Sequence, residues 1–161
     1  MKIIAPLAAA LLAACASYSG YGLQPGTSTA DQVQQVMGKP AMEFDNPGGG
    51  RDLIFPRGPL GTQTFIAHMD ASGRLINIEP VLNEDHFYKI REGMTRDQVL
   101  RMIGPPGEVR NFGPRTGNVA YTYRFMDGWG YQSDFSVTFG PDWIVRSKIA
   151  IRIDPGDAKS K

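Results

Sequence analysis

The chain has 161 residues, with 17 basic and 16 acidic side chains and a formal net charge of +1. This balance, without a basic stripe or an acidic run, argues against a nucleic-acid-binding protein and against a disordered acidic segment. With 19 Gly and 12 Pro, we expect one domain or two small ones, built from short elements joined by many turns.

The first fourteen residues have the build of an export signal. Lys2 precedes an apolar run from Ile3 to Ala14, which is shorter than the roughly 20 helical residues that cross a bilayer. The run ends in Leu12-Ala13-Ala14-Cys15, which resembles the bacterial lipobox. We predict a removable signal over 1–14 and lipid attachment to Cys15. An ordinary signal with an incidental cysteine is the alternative.

The lone cysteine is consistent with lipid attachment. Cys15 is the only cysteine of the chain, so no internal disulfide can form. The resemblance implies three acyl chains, enough for a permanent anchor. Ala16 and Ser17 follow, and the lack of an aspartate at the second position points to the outer membrane, by resemblance to Gram-negative sorting signals. Residues 15–22 are interpreted as the lipidated N-terminus and a flexible tether.

An internal repeat organises the rest of the chain. Residues 29–40 and 95–106 are identical at six of twelve positions with a constant offset of 66. In each copy a threonine, Thr29 or Thr95, precedes a Gln by three residues, which predicts a capping box at a helix N-terminus. A Gly-x-Pro sequence ends each copy, and we expect the glycine to stop the helix in the left-handed conformation while the proline prevents its resumption. These stops are Gly38 with Pro40 and Gly104 with Pro106.

Strand patterns follow each helix after a Gly/Pro-rich loop, at 41–50 and 107–118. We predict strands at 52–55, 62–70 and 74–80 in the first copy, and at 119–126, 132–140 and 143–153 in the second. Alternation in the middle strands gives each sheet one apolar face, which the helix covers. In the first copy this places Phe65, Ala67 and Met69 toward the helix and Ile66 and His68 on the opposite face.

The predicted fold class is therefore α+β. It consists of tandem two-layer units, each a short helix or helix pair packed on a three-stranded antiparallel sheet. We predict an extra leading helix, capped by Asn83, in the second copy. The expected boundaries are 23–80 for the first repeat, 83–153 for the second, and 154–161 for a polar tail.

The sequence provides little evidence of catalysis. His68 and His86 are separated by 18 positions without a metal-binding motif, so we predict no metal site, no cofactor and no enzyme. Glu84-Asp85-His86 is interpreted as a set of helix-capping residues, because adjacent residues on a helix do not face each other. No nucleophile elbow is present.

Three aromatic residues are the candidates for partner contact. Trp129 and Tyr131 lie in the Gly-rich hairpin 127–131, and Trp143 follows a turn. Exposed aromatics in loops are typical anchors for a protein partner or a membrane interface. The alternative is that these rings cap the ends of the sheet as part of the core.

Residues 90–106, together with 121–125 and 135–145, resemble the BamE/SmpA/OmlA family, whose hallmarks are a Gly-Met-Thr turn, a Gln-Val helix, a Gly-x-Pro stop and then a sheet. The first copy is a weaker match, with Gly26-Thr-Ser-Thr29 in place of Gly-Met-Thr. The tandem arrangement is also similar to β-lactamase inhibitor proteins, which double a similar unit.

The resemblance implies a non-catalytic lipoprotein of the outer membrane that faces the periplasm. Such a protein would be an accessory or scaffold of β-barrel assembly that binds the proteins of the assembly machinery and helps to maintain the envelope. The anchor would raise its effective concentration near membrane partners. The alternative function is an inhibitor module that binds an envelope enzyme.

Overall fold

The computed structural model describes residues 19–57, 61–113 and 115–153. Cys15, the signal over 1–14 and the tail over 154–161 lie outside these residues. Of the predicted tether, only residues 19–22 are described, and Gly20 is already buried. No helix of the described part is long and apolar enough to cross a membrane.

The elements form two units of the same kind, and the α+β class is confirmed. The first unit contains α1 (Ala30–Met37) and strands β1 (Met42–Asp45), β2 (Arg51–Pro56), β3 (Thr64–Met69) and β4 (Leu75–Pro80). The second contains α2 (Glu84–Lys89), α3 (Arg96–Ile103), β5 (Glu108–Asn111), β6 (Val119–Met126), β7 (Gln132–Phe139) and β8 (Val145–Arg152).

Each sheet has four antiparallel strands in chain order, so the prediction of three strands was wrong. The additional strands, β1 and β5, lie inside the segments that the sequence predicted to be loops. They have four residues each and pair along one edge with β2 and β6. A strand of this length offers too few positions for alternation to be recognised.

The two longer helices start and stop in the same way. The Thr29 and Thr95 side chains accept hydrogen bonds from the backbone N–H of Gln32 and Gln98, and both capping boxes are complete. Gly38 and Gly104 end the helices at φ values of 84° and 78° with ψ near 180°. The φ is positive as expected, but this ψ belongs to the extended region that essentially only glycine adopts, not to the left-handed helix.

The first core lies between α1 and the inner face of the first sheet. It is built by eight buried side chains from these elements: Val33, Met37, Leu53, Phe55, Phe65, Ala67, Met69 and Leu75. The expected inward face of β3 is thus the observed one. Burial of this apolar surface stabilises the unit by roughly 25 cal/mol for each Å² removed from water.

The outer face of the first sheet is also covered, which the sequence did not predict. Ile54 and Ile66 are buried, and both belong to the core of the second unit. The Arg101 side chain of α3 lies over the Phe44 ring at 4.4 Å and donates a hydrogen bond to the Asp45 carbonyl oxygen. Helices α2 and α3 therefore lie between the two sheets, and the layers follow the order α1, first sheet, α2 with α3, second sheet.

Candidate interaction surfaces of the second unit

One carboxylate, that of Asp127, accepts hydrogen bonds from the backbone of the β6–β7 hairpin. Asp127 Oδ1 accepts hydrogen bonds from the backbone N–H groups of Trp129 and Tyr131, at 3.0 and 2.9 Å. Its Oδ2 accepts from Arg152 Nε and Nη2, at 2.9 and 2.7 Å. Desolvation acts to raise the pKa of Asp127, but the hydrogen bonds from Tyr131 and Arg152 outweigh it and lower the pKa below its usual value.

This hairpin presents its aromatic side chains to solvent. Trp129 is 83% exposed and Tyr131 is 50% exposed, so neither ring is part of the core. The Arg152 guanidinium lies over the Tyr131 ring at 4.3 Å from its centroid, a cation–π distance. A turn that is hydrogen-bonded in this way and presents an exposed indole has the features of a binding element.

Trp143 lies at the other end of the second sheet. It occupies the β7–β8 turn at φ 60°, separated from the β6–β7 hairpin by the length of β7, roughly 24 Å. Its ring contacts Tyr121 and Phe139, and the Arg96 guanidinium lies 4.6 Å from its centroid. Trp143 is 38% exposed, so it partly caps the sheet. The structure therefore brings Trp129 and Tyr131 together and separates them from Trp143.

A third surface is the outer face of the second sheet. The positions that correspond to Ile54 and Ile66 of the first sheet, at an offset of 70, are Arg124 and Ser136. Arg124 forms an ion pair with Asp134 at 3.1 Å, which raises the pKa of the guanidinium, and Ser136 shares a 2.9 Å hydrogen bond with Thr122. This face carries a shallow groove of about 390 Å³. One flank is apolar, with Ile149, Ile151 and Ile153, while the other combines Phe112 with the charged Glu108 and Arg110.

The two histidines meet at the junction of the units, which their spacing in the sequence did not suggest. His68 Nδ1 lies 2.7 Å from Asp52 Oδ1, and His68 Nε2 lies 3.0 Å from Glu79 Oε1. His86, from α2, places its Nε2 3.8 Å from the same Glu79 oxygen. Among the residues that the structure describes, no group of three or more His, Cys, Asp and Glu has an arrangement that could hold a metal ion. The cluster links β2, β3, β4 and α2 by polar contacts.

The fold defines a class of small α+β domain, with helices against one face of an antiparallel sheet and aromatic residues in the turns at its ends. Residues 80–149 match the outer membrane protein assembly factor BamE domain. This segment includes α2, α3 and nearly the whole second sheet. The second unit is therefore a domain of the BamE family.

Two solved structures are similar to parts of the chain. One is titled a putative osmotically inducible lipoprotein, OsmE, with 23% identity over 44% of this chain and 72% of that chain, at a TM-score of 0.38. The other is the DUF4309 family protein YjgB from Bacillus subtilis, with 16% identity over 83% of this chain and 84% of that chain, at a TM-score of 0.32. A comparison with curated proteins finds no match.

Proposed function

We propose that this chain is a lipid-anchored protein of the outer membrane that faces the periplasm. It acts there as a non-catalytic accessory or scaffold of β-barrel protein assembly and envelope integrity. The BamE domain over 80–149 supports the assembly role. The lipobox-like Leu12–Cys15 sequence supports the anchor.

The distribution of exposed apolar side chains carries the proposal. Two of the eleven large exposed hydrophobic residues of the described part, Tyr21 and Ile76, lie in the first unit. The other nine lie in the second unit: Tyr88, Val109, Phe112, Met126, Trp129, Tyr131, Trp143, Ile149 and Ile151. Three of these nine, Phe112, Ile149 and Ile151, line the same groove, and contiguous exposed apolar surface is characteristic of protein-binding sites. The BamE-family unit is thus the one equipped to bind a partner.

A pair of similarly exposed isoleucines gives a matched test of this assignment. Ile149 in β8 and Ile76 in β4 are 56% and 54% exposed, and each lies in the last strand of its sheet. A photoreactive amino acid is placed at either position of the full-length chain in intact cells. We expect crosslinks to proteins of the barrel-assembly machinery from position 149 and none from position 76. Equal crosslinking from both positions, or none from 149, would contradict the proposal.

The anchor is tested separately through Cys15. Mass spectrometry of the mature N-terminal peptide is expected to show lipid on Cys15. A Cys15→Ser variant should accumulate as unprocessed precursor, because cleavage at a lipobox depends on the modified cysteine. Normal processing of that variant would contradict the proposed lipid anchor.

One observation favours the alternative, an inhibitor of an envelope enzyme. The groove on the outer face of the second sheet, with isoleucines along one flank and Asp134 and Ser136 on its floor, is open to a protein loop. The same crosslinking experiment separates the two functions. A hydrolase captured from position 149, with reduced activity in the complex, would support the inhibitor.

A further inference from the structure

The connections β2–β3 and β6–β7 lie at the same end of the molecule, which we call the hairpin end. Strand β4 finishes at Pro80 opposite Phe65, and Val81 N–H donates to the Thr64 carbonyl at 2.9 Å, beside the first connection. Only three residues later, Glu84 Oε1 accepts a hydrogen bond from the Gly128 N–H in the second connection, at 3.0 Å. The short linker between the units thus joins both connections.

The N-terminal segment enters the first unit at this same end. A methyl group added to the buried Gly20 would lie 2.5 Å from Ile78 Cδ1, near the end of β4 at Pro80, and 3.3 Å from Met37 Sδ at the end of α1. The Met37 carbonyl accepts from Arg57 Nη1 at 3.1 Å, and Arg57 N–H closes the β2–β3 connection on Gln63. From Gly20 the chain then runs toward the opposite end, where Gly26 N–H donates to Leu75.

The reach of the chain places the lipid close to the hairpin end. Cys15 precedes Gly20 by five residues, which span at most about 18 Å when fully extended. The following inference rests on the proposed function, because it requires lipid on Cys15. Given that lipid, the bilayer lies within this distance of the point where the chain enters the first unit.

The side chains at the hairpin end suit a bilayer interface. The two most exposed aromatic residues of the described part are Tyr21 and Trp129, at 89% and 83%. Tyr21 follows Gly20, and Trp129 lies in the β6–β7 connection two residues before Tyr131, on whose ring Arg152 stacks. Trp and Tyr concentrate at the headgroup level of membranes because their rings are apolar while their N–H and O–H groups remain hydrated.

We propose that the Trp129 hairpin rests in the headgroup region of the bilayer that holds the lipid anchor. The molecule then stands with its hairpin end on the membrane and its Trp143 end away from it. This orientation leaves the outer face of the second sheet roughly upright beside the membrane, accessible to a periplasmic partner.

Because the chain has only two tryptophans, each can be observed alone. The full-length lipidated protein is reconstituted into phosphatidylcholine vesicles whose acyl chains carry bromine close to the headgroup. In the Trp143→Phe variant, which reports Trp129, we expect loss of most of the emission and a shift to shorter wavelength. In the Trp129→Phe variant, which reports Trp143, we expect emission equal to that in unbrominated vesicles. Circular dichroism checks that both variants are folded.

Each other outcome overturns the proposal in a distinguishable way. A lipidated chain whose Trp129 is not quenched and stays open to aqueous acrylamide overturns the orientation alone. Shielding of Trp129 in native membranes, without quenching in vesicles, assigns the hairpin to a protein partner. A mature chain without lipid on Cys15 overturns the proposed anchor, and the orientation with it.

Discussion

Gly104, at the end of α3, lies against Ile54 of the first sheet so closely that a methyl group added to the glycine would stand 2.8 Å from Ile54 Cγ2. At this close approach the second unit packs against the first. The corresponding glycine of the first unit, Gly38, has nothing within 4 Å of such a methyl group. The two helix stops are thus alike in sequence and backbone but differ in what surrounds them.

Substitution of these two glycines by alanine should separate backbone strain from crowding. Gly38→Ala forces a side chain into a glycine-only conformation, which costs about 1–3 kcal/mol. Gly104→Ala bears the same strain and adds a clash with Ile54 and Thr64, worth about 1–3 kcal/mol more. Urea unfolding measures the free energy of unfolding of both variants. Equal losses of stability would show that the two units do not pack as described.

The buried outer face of the first sheet predicts an unequal response of two isoleucines. Ile66→Ala removes a fully enclosed side chain from the second core and should lower the free energy of unfolding by about 2–5 kcal/mol. Ile149→Ala, at an exposed position, should change it by at most about 0.5 kcal/mol. Thermal and urea unfolding provide the comparison. A small effect at Ile66 would mean that the two units do not share a core.

The phenol of Tyr123 predicts a loss of stability at alkaline pH. Its hydroxyl is buried and donates a hydrogen bond to the Gly104 carbonyl at 3.1 Å, and burial, with a smaller contribution from Tyr121, raises the pKa of Tyr123 well above its usual range. The native state therefore keeps the proton after the unfolded chain has lost it. The stability that this proton contributes is complete below the unfolded pKa of about 10 and declines as the pH rises beyond it.

Tyr123→Phe isolates this effect. At neutral pH it should cost about 1–3 kcal/mol, because the Gly104 carbonyl loses its buried partner. Above about pH 10 the difference in free energy of unfolding between the variant and the original chain should shrink, because the variant has no phenol at this position to titrate. Urea unfolding between neutral and alkaline pH measures it, with the exposed Tyr88→Phe as a control that leaves stability unchanged. A constant difference across this range would contradict the assignment.

The conformation of the Trp129 hairpin should depend on the side chain of Asp127. Removal of its carboxylate in Asp127→Ala deletes the acceptor for two backbone N–H groups and for Arg152. Amide exchange at Trp129 and Tyr131 should become faster, while the rest of the sheet keeps its protection. The control is Asp142→Ala in the β7–β8 turn, whose carboxylate bonds Ile144 N–H and Arg146. That variant should leave the Trp129 amide unchanged.

The helices, longer strands and turns of each unit could be predicted from local sequence patterns, but the packing between the units could not. The capping pairs, the glycine stops and the six longer strands follow from short-range patterns that each unit repeats. A signal for the second layer was present in β2, where Leu53, Ile54 and Phe55 are consecutive apolar residues, as in a strand buried on both faces. The corresponding part of β6 alternates Tyr123, Arg124 and Phe125, as in a sheet open on one side.

Other features could not be read from spacing. The meeting of His68 and His86 on Glu79 depends on how α2 sits against the first sheet, and no local pattern encodes that placement. The distance between Trp129 and Trp143 follows only once β7 is known to separate their turns. The strands β1 and β5 were hidden because the Gly and Pro residues around them indicate turns.

The Arg124–Asp134 pair lies at the position where the first sheet has Ile54, so the outer face of the second sheet is polar where that of the first sheet is buried and apolar. In repeat proteins each internal layer offers an apolar surface to the next, and terminal layers with polar outer surfaces stop the series. Here the centre of the second sheet's outer face carries an ion pair and hydroxyl groups, and α1 carries Gln34 where α3 carries the buried Leu100. Neither outer layer thus repeats the apolar contact that joins the two units, and the exposed isoleucines of the second sheet flank a polar floor instead.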